Sequence, residues 1–371
     1  PPARRRRRFR AVRLVAFVIV LAGATVVPLA CEVVWASHGD AARHVQPEVL
    51  VVERAGIRAT HGNDPYRVID RNGHILIRQS AIPVYELYYP YLPGMTVFGF
   101  SSGSRFEARL TDARIQFLVF TSVVGLLALW RLRPSTDART RAFQAITVLP
   151  TAALPLATGG DDMPVVALML AGVVALQRRQ PLVAGLVLGA AASLKFTAWP
   201  LVLLALFALV DRRGRRGWRT AGAYLSGVAA VVVPVVVPVA LRNPSAFVDN
   251  VVRFPLGLAG VASPAASSLP GHLVVSAWPG LHRAYVVAAV LVGGTVLVRH
   301  LVRRPPRDPA RVASLTGWVM LIATLAAPAT RVGYLLYPAN LFVWAWMLRW
   351  AEVPAVESAP RRWALRSAAV G

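Results

Sequence analysis

The chain has 371 residues, 56% of them hydrophobic, and a formal net charge of +24. On a soluble protein that charge would point to nucleic acid, but here the arginines cluster between apolar runs of about 14 to 24 residues, close to the ~20 a helix needs to cross a bilayer. Nucleic acid is therefore excluded as a partner, membrane lipids are expected, and the single cysteine, Cys31, excludes an intrachain disulfide framework. The run Arg4 to Arg8 before an apolar stretch has the form of a signal peptide. The stretch continues to about Trp35 without a small-residue cleavage site, so a retained first helix is expected. In chain order, spans are expected at 13–36, 113–131, 142–158, 163–177, 181–194, 198–211, 220–241, 284–302, 312–329 and 333–350. The fold class is an all-α polytopic membrane protein, one multi-pass domain over 1–371.

The loops alternate in charge. Arg4–Arg13, Arg131–Arg141, Arg178–Arg179, Arg212–Arg219, Arg303–Arg311 and Arg361–Arg366 fall on one side, which the positive-inside rule makes cytoplasmic. The other side receives 37–112, the Gly159–Asp162 turn, the Lys195 turn, 242–283 and the Arg331 turn. Twelve of the 17 acidic residues, from Glu32 to Asp249, lie on or at the edge of that second side. Both termini are then cytoplasmic. Tyr88–Phe100 is apolar but broken by Pro90, Pro93 and Gly94, and making it a further span would invert every later loop. It reads as a re-entrant or interfacial segment. No repeat, low-complexity tract or soluble domain stands out.

Candidate chemistry collects on the outer side, in a first loop (37–112) and a second (242–283). Apolar residues at 49, 51, 52 and 55 suggest a short amphipathic helix started by Pro47, with Glu48 in its first turn. Glu48 is either a catalytic carboxylate or an acid favoured by the helix dipole. Asp161 and Asp162 follow Gly159-Gly160 and read either as a carboxylate pair for a metal or a hydroxyl, or as an N-cap with a first-turn acid. Lys195 is the one lysine among 41 basic residues. Its compact ammonium suits a phosphate oxygen; the plainer reading is a lysine snorkelling to the interface. Arg253, His272 and Arg331 are outer-side cations against the charge trend, so an anionic ligand or local loop ion pairs would account for them. A transporter or lipid flippase is the competing reading, but the ionisable candidates lie in loops and helix ends, and the spans are almost free of charge.

Together these motifs resemble the polyprenyl-phosphate-sugar-dependent glycosyltransferases of the GT-C fold, and among them glycosyltransferase family 87, an actinobacterial mannosyltransferase-like group. Glu48, then Arg54-Ala55-Gly56, then Gly62-Asn63-Asp64-Pro65-Tyr66 follow the family's first-loop order, and Leu188–Pro200 follows its Leu-Gly-x-Ala-Ala-x-x-Lys-x-Thr-Ala-x-Pro run. The family usually has Asp with a tyrosine four residues on, where this chain has Glu48 and Val52. The resemblance implies a bundle of about ten transmembrane helices in the bacterial plasma membrane. It implies a hexosyltransferase of the cell envelope that moves mannose from a polyprenyl-phosphate carrier to a glycolipid or glycan acceptor. Nucleotide sugars are absent outside, and the chain has no nucleotide fingerprint. Glu48 would be the base, Lys195 and Arg331 the phosphate ligands, and Arg253, His272, Asp64, Tyr66, Asp161 and Tyr334 further substrate contacts. Because phosphate is already a good leaving group, no cofactor and no metal is required.

Overall fold

A computed structural model describes residues 2–38, 44–66, 82–100, 111–132, 136–210, 215–261 and 263–349. Arg212 and the Arg361–Arg366 cluster lie outside these residues. Helix α1 (2–38) is one long rod in which Pro2–Leu21 and Val27–His38 are joined by a π turn at Ala22–Val26. The wide turn falls just before Pro28, whose ring would otherwise meet the carbonyl one turn back. Then come α2 (Pro47–Thr60), α3 (Ala113–Leu132), α4 (Thr136–Thr147), α5 (Pro150–Thr158), α6 (Asp162–Gln177), α7 (Pro181–Leu194) and α8 (Trp199–Val210). After them lie α9 (Arg215–Arg242), α10 (Pro244–Val248), α11 (Pro270–Ala277), α12 (His282–Arg303), α13 (Pro309–Ala326) and α14 (Leu336–Arg349). Among the described residues only one isolated bridge, between Ala266 and Thr330, has β character.

Five stretches are long and apolar enough to cross a bilayer: Ala11–His38, Ala113–Leu132, Gly217–Arg242, Pro279–Arg303 and Pro309–Ala326. The shorter apolar helices α6, α7 and α8 sit among them. Helix α6 is apolar on every side and buried along nearly its whole length against α3 and α7, the outcome expected when no face carries polar groups. Glycines set the closest approach in the bundle. Gly185 and Gly189, four apart on α7, lie against the backbone of Tyr224 and Val228 on α9, where a Cβ would collide. Small residues four apart allow this kind of backbone contact in membranes.

The expected span 142–158 is two helices. Pro150 cannot donate, Leu149 turns extended at φ −59° and ψ 145°, and α4 ends at Thr147, two residues before Leu149. Likewise α13 stops at Ala326, because Ala327 precedes Pro328 and adopts φ −67°, ψ 136°. The broken segment of the first loop is short and folded into the bundle. Pro93–Gly99 is a 3-10 helix, buried between α2, α3, α7 and α9. It is held by the Leu92 amide donating to the Leu194 carbonyl at 3.0 Å, which satisfies the C-terminus of α7. Gly56 on α2 and Gly99 on this segment touch backbone to backbone, with no room for a Cβ on either. The Arg-Ala-Gly of the first loop thus serves this contact.

Candidate active site

Three chain breaks and α2 meet at one end of the bundle. Pro47 opens α2, whose residues Val49, Val51, Val52, Ala55 and Gly56 are buried. Gln46 donates to the Thr158 hydroxyl at 2.6 Å and ties this start to the end of α5. The chain then turns through Gly159, at φ +97°, a value few L side chains adopt, in a place where a Cβ would strike Val49 and Arg114. That turn delivers Asp161 and Asp162. Asp161 occupies the N-cap position of α6, yet its side chain does not cap. Instead both carboxylates face Lys195, the residue at which α7 stops and the backbone turns extended.

The Lys195 ammonium donates to Asp161 Oδ1 at 3.1 Å, to Asp161 Oδ2 at 3.2 Å and to Asp162 Oδ1 at 2.5 Å. Its three hydrogens are spent on these two acids. The rings of Tyr91 and Tyr334 lie 5.1 and 5.6 Å from Nζ and wall the pocket with their π faces. The Tyr337 hydroxyl donates to Asp162 Oδ1 at 2.6 Å and accepts from the Thr197 hydroxyl at 2.6 Å. Lys195, Asp161 and Asp162 are all buried. Burial pushes the Asp161 carboxyl up to about 6; Lys195 opposes that, and Asp162 and Glu48 add to it. Burial alone would lower Lys195, but its two carboxylate partners outweigh that and hold it charged, above the ordinary lysine value.

Beside this buried triad lies a more open pair. The Arg331 guanidinium, at the break before α14, is ion-paired with Glu48 Oε1. Its side chain is one-third exposed. Burial would lower its affinity for a proton; Glu48, with Tyr334, Tyr91 and Asp161 adding to it, more than offsets that. Glu48 Oε2 is buried and has no hydrogen-bond partner among the described residues. A buried carboxylate oxygen in that condition is rare enough to need a reason.

The second loop shapes the site from behind. The Thr330 amide donates to the Ala265 carbonyl at 2.8 Å, and the Ser267 amide to the Thr330 carbonyl at 2.9 Å. His272 Nδ1 lies 2.9 Å from the Pro328 carbonyl. His272 therefore supports the Arg331 loop and is not part of the cluster. Tyr66 donates its hydroxyl to the Tyr91 carbonyl at 2.7 Å, and Asp64 Oδ1 accepts from the Tyr66 amide at 2.9 Å. These two hold Tyr91 in place from its outer side. Asn250 accepts from the Tyr89 amide at 2.7 Å, joining the two loops. Arg253 points away; it pairs with Asp249 at 2.6 Å and is more than half exposed. Glu53 takes the Ala113 amide at 3.1 Å and so caps α3; burial raises its pKa.

Of the residues singled out in the sequence, Glu48, Asp161, Lys195, Arg331 and Tyr334 come together. Asp64, Tyr66 and His272 support them, and Arg253 stands apart. Tyr91, Tyr337 and Thr197 complete the cluster without having been singled out. Tyr334 and Tyr337 are three apart, a helical spacing that puts both on one face; Tyr91 shows only as a tyrosine two residues before Pro93 in a broken apolar segment.

A bundle of apolar helices with its polar residues at one end has counterparts of known structure. ArnT from Cupriavidus metallidurans, solved bound to undecaprenyl phosphate, superposes with a TM-score of 0.50 at 18% identity, covering 91% of this chain and 60% of that one. The chain thus spans less than two thirds of ArnT, and the likeness is one of fold: a polytopic membrane protein of the GT-C type. No curated relative matches. The model of glycosyltransferase family 87 matches residues 104–328, and the chain belongs to that family. Asp161, Asp162 and Lys195 fall inside the matched region; Glu48 and Arg331 flank it.

Proposed function

We propose that this glycosyltransferase moves a sugar, mannose in our reading, from a polyprenyl-phosphate carrier to a hydroxyl of an extracytoplasmic glycolipid or glycan. The observation that carries the reading is Glu48: one oxygen paired with Arg331, the other buried and unpartnered. Oε2 accepts the proton of the acceptor hydroxyl as that oxygen attacks the anomeric carbon. The bond from the anomeric carbon to the phosphate oxygen breaks, and its electron pair leaves with the phosphate. Arg331, one-third exposed and with donors beyond those Glu48 uses, meets the growing charge. Lys195 does not reach the phosphate in this reading; it keeps Asp161 and Asp162 in place beside it. The undecaprenyl phosphate bound by ArnT supports a lipid-phosphate donor. The arginine-rich loops support an arrangement in which the cluster faces away from the cytoplasm, in a bacterial plasma membrane.

The test is sugar transfer by purified protein from radiolabelled polyprenyl-phosphate mannose to a membrane lipid extract. Glu48→Gln should lower turnover by roughly 10² to 10⁴ if general-base catalysis is its role, with donor binding retained. Glu53→Gln should leave transfer largely intact, since Glu53 only caps α3. Near wild-type transfer by Glu48→Gln would remove Glu48 as the base.

A further inference from the structure

At the opposite end of the bundle, α12, the chain at 304–307, the start of α13 and the end of α14 line an open cavity of ≈ 470 Å³. Five arginines line it: Arg303, Arg304, Arg307, Arg311 and Arg349. Arg311 pairs with Asp308 at 3.2 Å; the other four have no carboxylate partner among the described residues. Like charges gathered round one cavity repel unless an anion sits among them. Trp318, half exposed, stands at the apolar side of the cavity, the place a headgroup-level tryptophan takes in a membrane protein.

The helix above this cavity supplies the second observation. Of the residues of α12 only Val286 is buried, and Val290, Leu291, Val298 and Val302 are each more than 60% exposed. A valine-rich flank of this kind, on a stretch long and apolar enough to cross a bilayer, suits lipid chains. Acyl chains lying along α12 would bring their headgroup to the arginines. We infer that the cavity binds the headgroup of an anionic phospholipid, favouring one with two phosphates, from the leaflet at the arginine-rich end. Phosphate oxygens match the planar donors of arginine, and basic pockets between helices select such lipids. This does not depend on the sugar-transfer reading.

The test uses the full chain in detergent, with lipid adducts counted by native mass spectrometry. Four probes are titrated: diphosphatidylglycerol, phosphatidylglycerol, phosphatidylcholine and inorganic phosphate. Wild type should hold diphosphatidylglycerol at least about tenfold more tightly than phosphatidylcholine, with inorganic phosphate unable to displace it at equal concentration. The double substitution Arg307→Gln, Arg349→Gln should weaken that binding roughly tenfold or more. Both side chains are exposed, so the unfolding midpoint should not move. Arg219→Gln, an exposed arginine away from the cavity, should leave binding unchanged. Equal loss in Arg219→Gln would reduce the effect to general surface charge and overturn the proposal. Equal retention of phosphatidylcholine would overturn it as well, and displacement by inorganic phosphate would make this a free-anion site.

Discussion

Replacing Lys195 by Met keeps the length and the apolar stem of the side chain and removes its charge. In the wild type the ammonium is less than a tenth exposed and serves two carboxylates that are almost equally buried. Without it, Asp161 and Asp162 lose the cation both of them accept from, and only Asp162 keeps a hydroxyl donor, that of Tyr337. Breaking a buried ion pair from one side costs about 3–5 kcal/mol. The cost should shrink toward pH 5, because Asp161 takes up a proton near 6 even with Lys195 present. Adding Asp162→Asn to Lys195→Met should restore most of the loss, since the pair then leaves one acid that can be protonated. The measurement is the unfolding midpoint in detergent at pH 5, 6.5 and 8, with all three variants analysed as a double-mutant cycle. If Lys195→Met is as stable as wild type at pH 8, or if Asp162→Asn restores nothing, the ammonium does not neutralise the pair. Lys195 would then be free for the phosphate, and the division of roles proposed here would fall.

Gly99→Ala would drive a Cβ into the Val52 carbonyl and the Glu53 backbone; overpacking of this kind costs about 1–3 kcal/mol, and because α2 carries Glu48 it should lower transfer as well as the unfolding midpoint. A variant with a normal midpoint and normal transfer would show that the contact has slack. Orientation is checked in a Cys31→Ser background: Val252→Cys should react with an impermeant thiol reagent added outside intact cells, and Arg219→Cys should not. Labelling confined to position 219 would put the cluster in the cytoplasm.

The positions of the apolar helices were legible because membrane spans write themselves as long runs, and loop arginines sort them by side. Helix breaks were less so: Pro150 and Pro328 each ended a helix that hydropathy alone carries onward. At the site, rarity was informative. One lysine among 40 arginines marked Lys195, and the outer-side placement of Glu48, Asp161 and Arg331 marked a common face. What could not be read was who pairs with whom. Lys195 is 34 residues from Asp161, and Arg331 is three quarters of the chain from Glu48; the glycine contacts at 56, 99 and 159 and the Gln46–Thr158 and Leu92–Leu194 hydrogen bonds bring those partners together. Lys195, expected from its chemistry and from the family resemblance to meet a phosphate, donates in the structure to two carboxylates, and nothing local in 193–200 announces an acid across the bundle. Val52, at the family's tyrosine position, is fully buried on α2, and the aromatic walls come from Tyr91 and Tyr334 instead.

The charge balance of the cluster leads to the last prediction. Glu48, Asp161 and Asp162 face Lys195 and Arg331, so full ionisation leaves one negative charge in excess. A sugar phosphodiester brings another, and it does not itself titrate near neutral pH. A site that must admit an anion in this state needs somewhere to put a proton, and Asp161, pushed up to about 6, is that place. Donor affinity should therefore fall as pH rises through about 6, by at most roughly tenfold per pH unit for one linked proton. Stability should move in the same direction. Folding raises the Asp161 pKa from 3.8 to about 6, so its protonated form is favoured by the fold. That contribution is complete below 3.8 and is lost as pH rises through about 6. Asp161→Asn keeps the shape, removes the titration and should flatten both profiles. Donor titrations and unfolding midpoints at pH 5 to 8 measure this directly. A flat wild-type affinity would remove the proton from donor binding, and a slope that survives Asp161→Asn would move it to another group of the cluster.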